Sequence, residues 1–166
     1  QPRLRGKFFD IHKPGPLHWS LLHSLTCMRH LAKQPDFKGL IMLNDEKLLQ
    51  RGMQTMNDID GEQGAKVMQA LADIAPDLGR YIIGFGFGEI YNRPHLDNQR
   101  RELVTLAALA AQGGCEKQLA VHIHAALNVG LSREEIVEIF IHCVPYLGFP
   151  KVLNAVFAAK EVFAEG

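Results

Sequence analysis

The chain has 166 residues, 47% of them apolar and 22% charged, a balance that suits one globular domain with a sizeable core. Eighteen basic and eighteen acidic side chains cancel, so nothing in the charge calls for nucleic acid or an anionic membrane surface as partner. No apolar run approaches the roughly 18 residues of a membrane span, and the basic opening QPRLRGK lacks the apolar core of a signal peptide.

Residues 1–16, with Pro2, Pro14, Gly15 and Pro16, read as an extended arm. From Leu17 the pattern turns helical, with Leu17, Leu21, Leu22, Leu25, Met28 and Leu31 on one stripe, and Gln34-Pro35-Asp36 ends it. His18, His23 and His30 travel with this stripe and read as part of a solvated or packed helix rather than a metal site. Residues 45–57 read as a helix, Asp60-Gly61 as a turn, and residues 62–74 as a second helix. Pro76-Asp77 opens a third that runs through Tyr91 toward Arg93-Pro94. Its middle, Gly84-Phe85-Gly86-Phe87-Gly88, lacks both a preceding strand and a following Lys-Ser/Thr. It therefore reads as close helix packing or a kink, not as a phosphate loop.

The stretch Arg101–Gly130 has apolar residues at helical spacing, interrupted at Gly113-Gly114, and reads as two antiparallel helices. Gly113 stands 11 residues after Glu102 and 9 before His122. At about 1.5 Å per residue the two side chains sit within about 3 Å of the same height. Cys115, Gln118 and His122 share one helical face, and His124, about 200° from His122, points out or toward a neighbouring chain. Ser132-Arg133-Glu134-Glu135 is a capping box, opening a helix that carries Ile136, Ile139, Phe140 and Cys143 inward and stops near Pro145-Tyr146. Residues 151–164 form a last helix with Val152, Ala155, Val156, Ala159 and Val162 apolar. No segment reads as a β-strand, so the fold class is all-α.

Three stretches, GEIYNRPHLDNQRRELVTLAALAA, QLAVHIHAALNVGLSREEI and YLGFPKVLNAVFAAKEVF, together resemble the carboxymuconolactone decarboxylases, and LLQRGMQTMNDIDG resembles that family's opening helices. The resemblance covers residues 45–166, and residues 1–44 form an N-terminal arm and helix without a functional reading. It implies a helical bundle of the alkylhydroperoxidase D type, built on a central antiparallel hairpin and assembled as a homo-oligomer, trimer or hexamer. The implied activity is decarboxylation of γ-carboxymuconolactone or a related unsaturated lactone acid in aromatic catabolism. Electrons left by CO₂ run into the lactone carbonyl as a dienolate, so neither metal nor organic cofactor is expected. His122 is the expected proton donor, with Glu102 or Glu89 setting its tautomer. Arg93 and Arg101 match family positions and are expected to clamp substrate carboxylates, and Tyr146 to line the pocket.

Two other readings compete. Glu102, Cys115 and His122 resemble three of the four residues of the alkylhydroperoxidase D thiol site, but Gln118 replaces the second cysteine. A single-cysteine peroxidase using Cys115 is the form left open. The third cysteine and the absence of any CxxC pair suit a reducing, cytoplasmic setting. A non-catalytic oligomeric binding protein on the same fold is the other alternative.

Overall fold

A computed structural model describes residues 45–165; the arm and helix read from residues 1–44, with His18, His23, Cys27 and His30, lie outside the described residues. Helix α1, Glu46–Ile59, starts where the Asp45 carboxylate accepts the Lys47 amide at 2.9 Å, and buries Gly52, Met56 and Ile59 on one face. After Asp60 comes α2, Gly61–Leu71, which ends three residues earlier than its pattern suggests. Helix α3, Pro76–Tyr81, opens on a proline whose missing N–H costs nothing there.

The third helix does not run on unchanged. From Ile82 to Ile90 it widens into a π-helical segment, in which the Tyr91 amide reaches the Gly86 carbonyl, five residues back, at 3.0 Å. Glycines let α1 press against it. A Cβ on Gly52 would collide with the Ile83 carbonyl, and one on Gly88 would lie 2.7 Å from the Leu48 carbonyl oxygen. Side chains satisfy its last carbonyls: Arg51 Nε donates to Gly88 at 2.8 Å and Asn92 Nδ2 to Phe87 at 2.6 Å. The glycine run is thus a packing device, as its sequence suggests.

Helix α4, Asn98–Gln112, is capped by Asp97, which accepts the Arg100 amide at 2.8 Å. Gly113 and Gly114, at φ 71° and 68°, turn the chain into α5, Glu116–Asn128, in a backbone region that side chains resist. The reciprocal Ser132–Glu135 box, at 3.1 and 2.8 Å, opens α6, Arg133–Leu147. Pro145 sits inside its last turn rather than ending it. Helix α7, Phe149–Ala164, closes the described chain. Among the described residues there are seven α-helices and the π segment, with no strand. None of these helices is long and apolar enough to cross a membrane.

Two apolar cores meet on α5. Leu106, Ile123, Ile136, Phe140 and Ala159 centre the larger one, between α4, α5, α6 and α7. Met56, Ile59, Phe87 and Ala125 centre the smaller, between α1, the π segment and α5, with Met68 and Tyr91 packed against it. Asn128 ties these parts together, its Nδ2 donating to the Ile59 carbonyl at 3.0 Å, just before the α1–α2 corner. That latch sets Asp60 against the same helix that carries His122.

Candidate active site

The hairpin delivers the pairing that counting predicts: His122 Nδ1 lies 3.0 Å from Glu102 Oε2. Glu102 is fully buried, at 0% exposure, in the middle of α4. Its second oxygen accepts a 2.8 Å hydrogen bond from the Tyr91 hydroxyl, which also lies 3.3 Å from Thr105 Oγ1. Both carboxyl oxygens are therefore partnered, as a buried acid requires.

His122, Tyr91 and Thr105 form part of the wall of a cavity of about 400 Å³. Met56, Val67, Met68, Ile82, Phe87 and Val121 make it mainly apolar, while Asp60 and Gln118 add the remaining polar side chains and Gly64 completes the lining. Among the described residues no lysine or arginine lines it. With Nδ1 committed to Glu102, the nitrogen of His122 left for a bound molecule is Nε2.

Electrostatics pull the site's groups in different directions. Burial by itself would lower the pKa of His122, but the hydrogen bond and charge of Glu102, aided by the charge of Asp60, outweigh it and hold it above the ordinary imidazole value. Asp60 is only 5% exposed, and its Oδ1 has no hydrogen-bond partner. Burial pushes its carboxyl up to about 6, with His122 pulling down and Glu102 adding to the rise. Burial, then the charge of Glu102, holds the Tyr91 phenol well above its ordinary value, so it remains a donor.

Other residues expected at the site stand elsewhere. Glu89 is half exposed, 3.7 Å from Arg51 and off the cavity wall, so Glu102 is the carboxylate that partners His122. A residue in the π segment follows a wider turn than an α-helical count assumes, and Glu89 turns outward. Arg93 is exposed, and Arg101 Nη2 donates to the Arg93 carbonyl at 2.5 Å, with its guanidinium carbon 5.9 Å from the centre of the Tyr91 ring. Neither arginine lines the cavity; Arg101 holds the α4 entry loop instead. Tyr146 is 76% exposed beside the His142 ring, outside the cavity, because Pro145 lies within α6 and carries the aromatic past the end of the core. Cys115 sits at the α5 N-terminus with Sγ 3.5 Å from the Gly113 carbonyl; Gln118, one turn on, reaches the cavity and the thiol does not. His124 points away, to Glu165 at 3.2 Å.

Sequence reasoning missed Asp60, Tyr91 and Thr105. A signal for Asp60 exists: it falls four residues after Met56 and eight after Gly52, on the buried face of α1. Among the described residues no group of three or more His, Cys, Asp or Glu forms a metal-ion site.

Fold and site together define an all-helical protein with a buried Glu–His pair on a mainly apolar cavity, and comparison with known proteins gives its family. Residues 76–161 match the model of the carboxymuconolactone decarboxylase family. The chain is 34% identical to a 4-carboxymuconolactone decarboxylase of Acinetobacter baylyi over 124 residues, 74% of this chain and 92% of that protein. It is 29% identical over 124 residues to a nitrosuccinic acid decarboxylase of Metarhizium robertsii, 71% of this chain and 85% of the relative. An uncharacterized 15.0 kDa protein of Paracoccus denitrificans is 28% identical over 121 residues, 72% of this chain and 90% of that one. The chain belongs to the carboxymuconolactone decarboxylase family, which sets it among the carboxy-lyases.

Proposed function

We propose that the protein decarboxylates γ-carboxymuconolactone or a closely related unsaturated lactone acid without a cofactor, and that His122 supplies the proton. The observation that carries this reading is the buried Glu102–His122 pair opening onto a mainly apolar cavity. The leaving carboxylate carries a charge that CO₂ does not, so an environment poor in water favours its loss. As the C–C bond breaks, its electron pair moves through the ring double bond into the lactone carbonyl, giving a dienolate. The Nε2–H of the imidazolium then protonates the α-carbon, and neutral imidazole is recharged from solvent. Glu102 supports both steps, since it holds the ring in one orientation and favours the protonated form.

The relatives' names support the same logic. A 4-carboxymuconolactone carries an electron-accepting lactone conjugated with the carbon that loses CO₂. Nitrosuccinic acid carries an electron-accepting nitro group on a carboxyl-bearing carbon. Each substrate brings its own electron sink and keeps one carboxylate. Assembly as a homo-oligomer, trimer or hexamer, belongs to this reading. Exposed Phe149, Leu153 and Phe157, at four-residue spacing along α7, support it as a face that a second copy covers.

The test is turnover of γ-carboxymuconolactone, followed by CO₂ release, for wild type and His122→Ala side by side. Wild type is expected to turn over and the variant to lose about a hundredfold or more, the usual scale for an acid–base group. Absence of CO₂ release by the wild type overturns the reaction. Equal rates in both proteins overturn the role of His122.

A further inference from the structure

The reaction proposed above leaves one question that the cavity itself answers: what holds the carboxylate that the substrate keeps. The customary clamp is a guanidinium or an ammonium, and among the described residues no arginine or lysine lines this cavity. The side chain present instead is Asp60, on the α1–α2 corner. We propose that Asp60 is a substrate-binding residue that works as a neutral acid, donating its O–H to the retained carboxylate of a dicarboxylic substrate and taking one proton from solvent as the substrate binds. This rests on the decarboxylase reading for the identity of the acid.

Three independent features of the structure point this way. First, Oδ1 of Asp60 is buried without a hydrogen-bond partner, a costly arrangement that a ligand would relieve. Second, the corner is built to hold it. Asn128 pins the preceding carbonyl at 3.0 Å. Gly64 leaves the needed room, because a Cβ there would stand 3.0 Å from both Asp60 Cβ and Met56 Cγ. Third, the titratable groups that face Asp60 are His122 on α5, Glu102 on α4 and Tyr91 after the π segment. Of these, His122 is already bound to Glu102, so it does not neutralise Asp60 by direct contact.

The protonation state follows from the same surroundings. Burial by the protein alone brings the carboxyl up to about 6. A second carboxylate placed against it raises that value further, because two adjacent carboxylates share one proton more readily than both ionise. The acid form is then a strong donor to the anion, and no atom is left over: one solvent proton enters with each ligand. The pocket so described selects acids that retain a carboxylate after CO₂ leaves.

Muconolactone is the probe, because it has the lactone and the retained carboxylate but no carboxyl to lose. Its binding to the full chain is measured by calorimetry between pH 5.5 and 8.5, in two buffers of different ionisation heat. Wild type, Asp60→Asn and Asp60→Ala are compared after a check that each melts cooperatively. For wild type the expected results are net proton uptake at pH 7.5 and affinity falling by up to roughly tenfold per pH unit at high pH. Asp60→Asn keeps a donor that cannot ionise, so its binding is expected to flatten with pH and to exceed wild type at pH 8.5. Asp60→Ala is expected to bind at least about tenfold more weakly than wild type at pH 5.5. Because the charge of Asp60 helps hold His122 protonated, the imidazole is titrated by NMR in each protein, and the pH dependence left after that shift is allowed for isolates Asp60. Parallel pH profiles in wild type and Asp60→Asn, or no binding to wild type, overturn the inference. Release of CO₂ from γ-carboxymuconolactone by the same samples separates the cases. Turnover with parallel profiles sinks Asp60 alone, and Asp60-dependent binding without turnover sinks the reaction alone.

Discussion

Glu102 decides what His122 can do. It takes up Nδ1, leaves Nε2 for the cavity, and outweighs the burial that would otherwise lower the imidazole's pKa. Glu102→Gln keeps the shape of the carboxyl and removes its charge, so the pKa of His122 should fall. At pH 7.5 kcat is expected to drop at least about tenfold and to recover partly toward pH 5.5, as more imidazolium returns. A pH–rate profile unchanged from wild type would show that Glu102 is only a packing element. The pairing was legible because both partners lie on regular helices and the turn between them is marked by two glycines, so height and face follow from counting. Asp60 escaped because Asp-Gly at the end of a helix reads as a solvated turn, which outweighed its place in line with Gly52 and Met56; the hydrogen bond from Asn128 to the Ile59 carbonyl, 69 residues away, is what holds the corner inside. Arg93 and Arg101 misled for the converse reason: position along the chain says nothing about whether a guanidinium reaches the cavity or the backbone of its neighbour.

Helices α1, α4, α5, α6 and α7 could be read in advance, since apolar periodicity, two Asp caps, a capping box and glycine stops all agree at their ends. The π segment could not. Ile82–Ile90 is apolar or glycine at every position except Glu89, so it has no polar face from which to read a period. Its geometry comes from contact with α1, a property of two elements rather than one. That contact makes a prediction opposite to ordinary helix propensity, where alanine is favoured over glycine by about 1 kcal/mol. Gly52→Ala drives a methyl into the Ile83 carbonyl and is expected to lower stability by about 1–3 kcal/mol or more. Gly86→Ala meets nothing within 4 Å and serves as the control, expected to be neutral or slightly stabilising. Urea unfolding of the two variants checks this, and equal midpoints would mean that α1 and the π segment pack less closely than described.

At the scale of the whole molecule the site imposes a pH dependence on folding. Asp60 has a pKa raised from 3.8 to about 6 by burial, so the folded protein holds that proton more tightly than the unfolded chain. Its contribution is fully present below about 3.8 and is lost as pH rises through about 6. His122 acts in the same direction, its contribution complete below the ordinary 6.5 and lost as pH climbs through the raised folded value. Asp60 therefore costs the wild type stability between about pH 3.8 and 6, and His122 adds a further loss above 6.5, even though the chain's formal charges balance. At about 1.4 kcal/mol per pH unit, ionising buried Asp60 costs on the order of 3 kcal/mol, the charge of His122 beside it included. Asp60→Asn removes that cost. Its melting temperature is expected to exceed wild type by several degrees at pH 8, by about half as much at pH 5, and to converge with it below about pH 4, a gap that thermal unfolding across pH measures directly. Two parallel curves would mean that Asp60 is solvated or already paired in the folded protein. A gap that opens between about pH 4 and 6 and then holds would mark the site as one where stability is given up to keep an acid unpaired for its ligand.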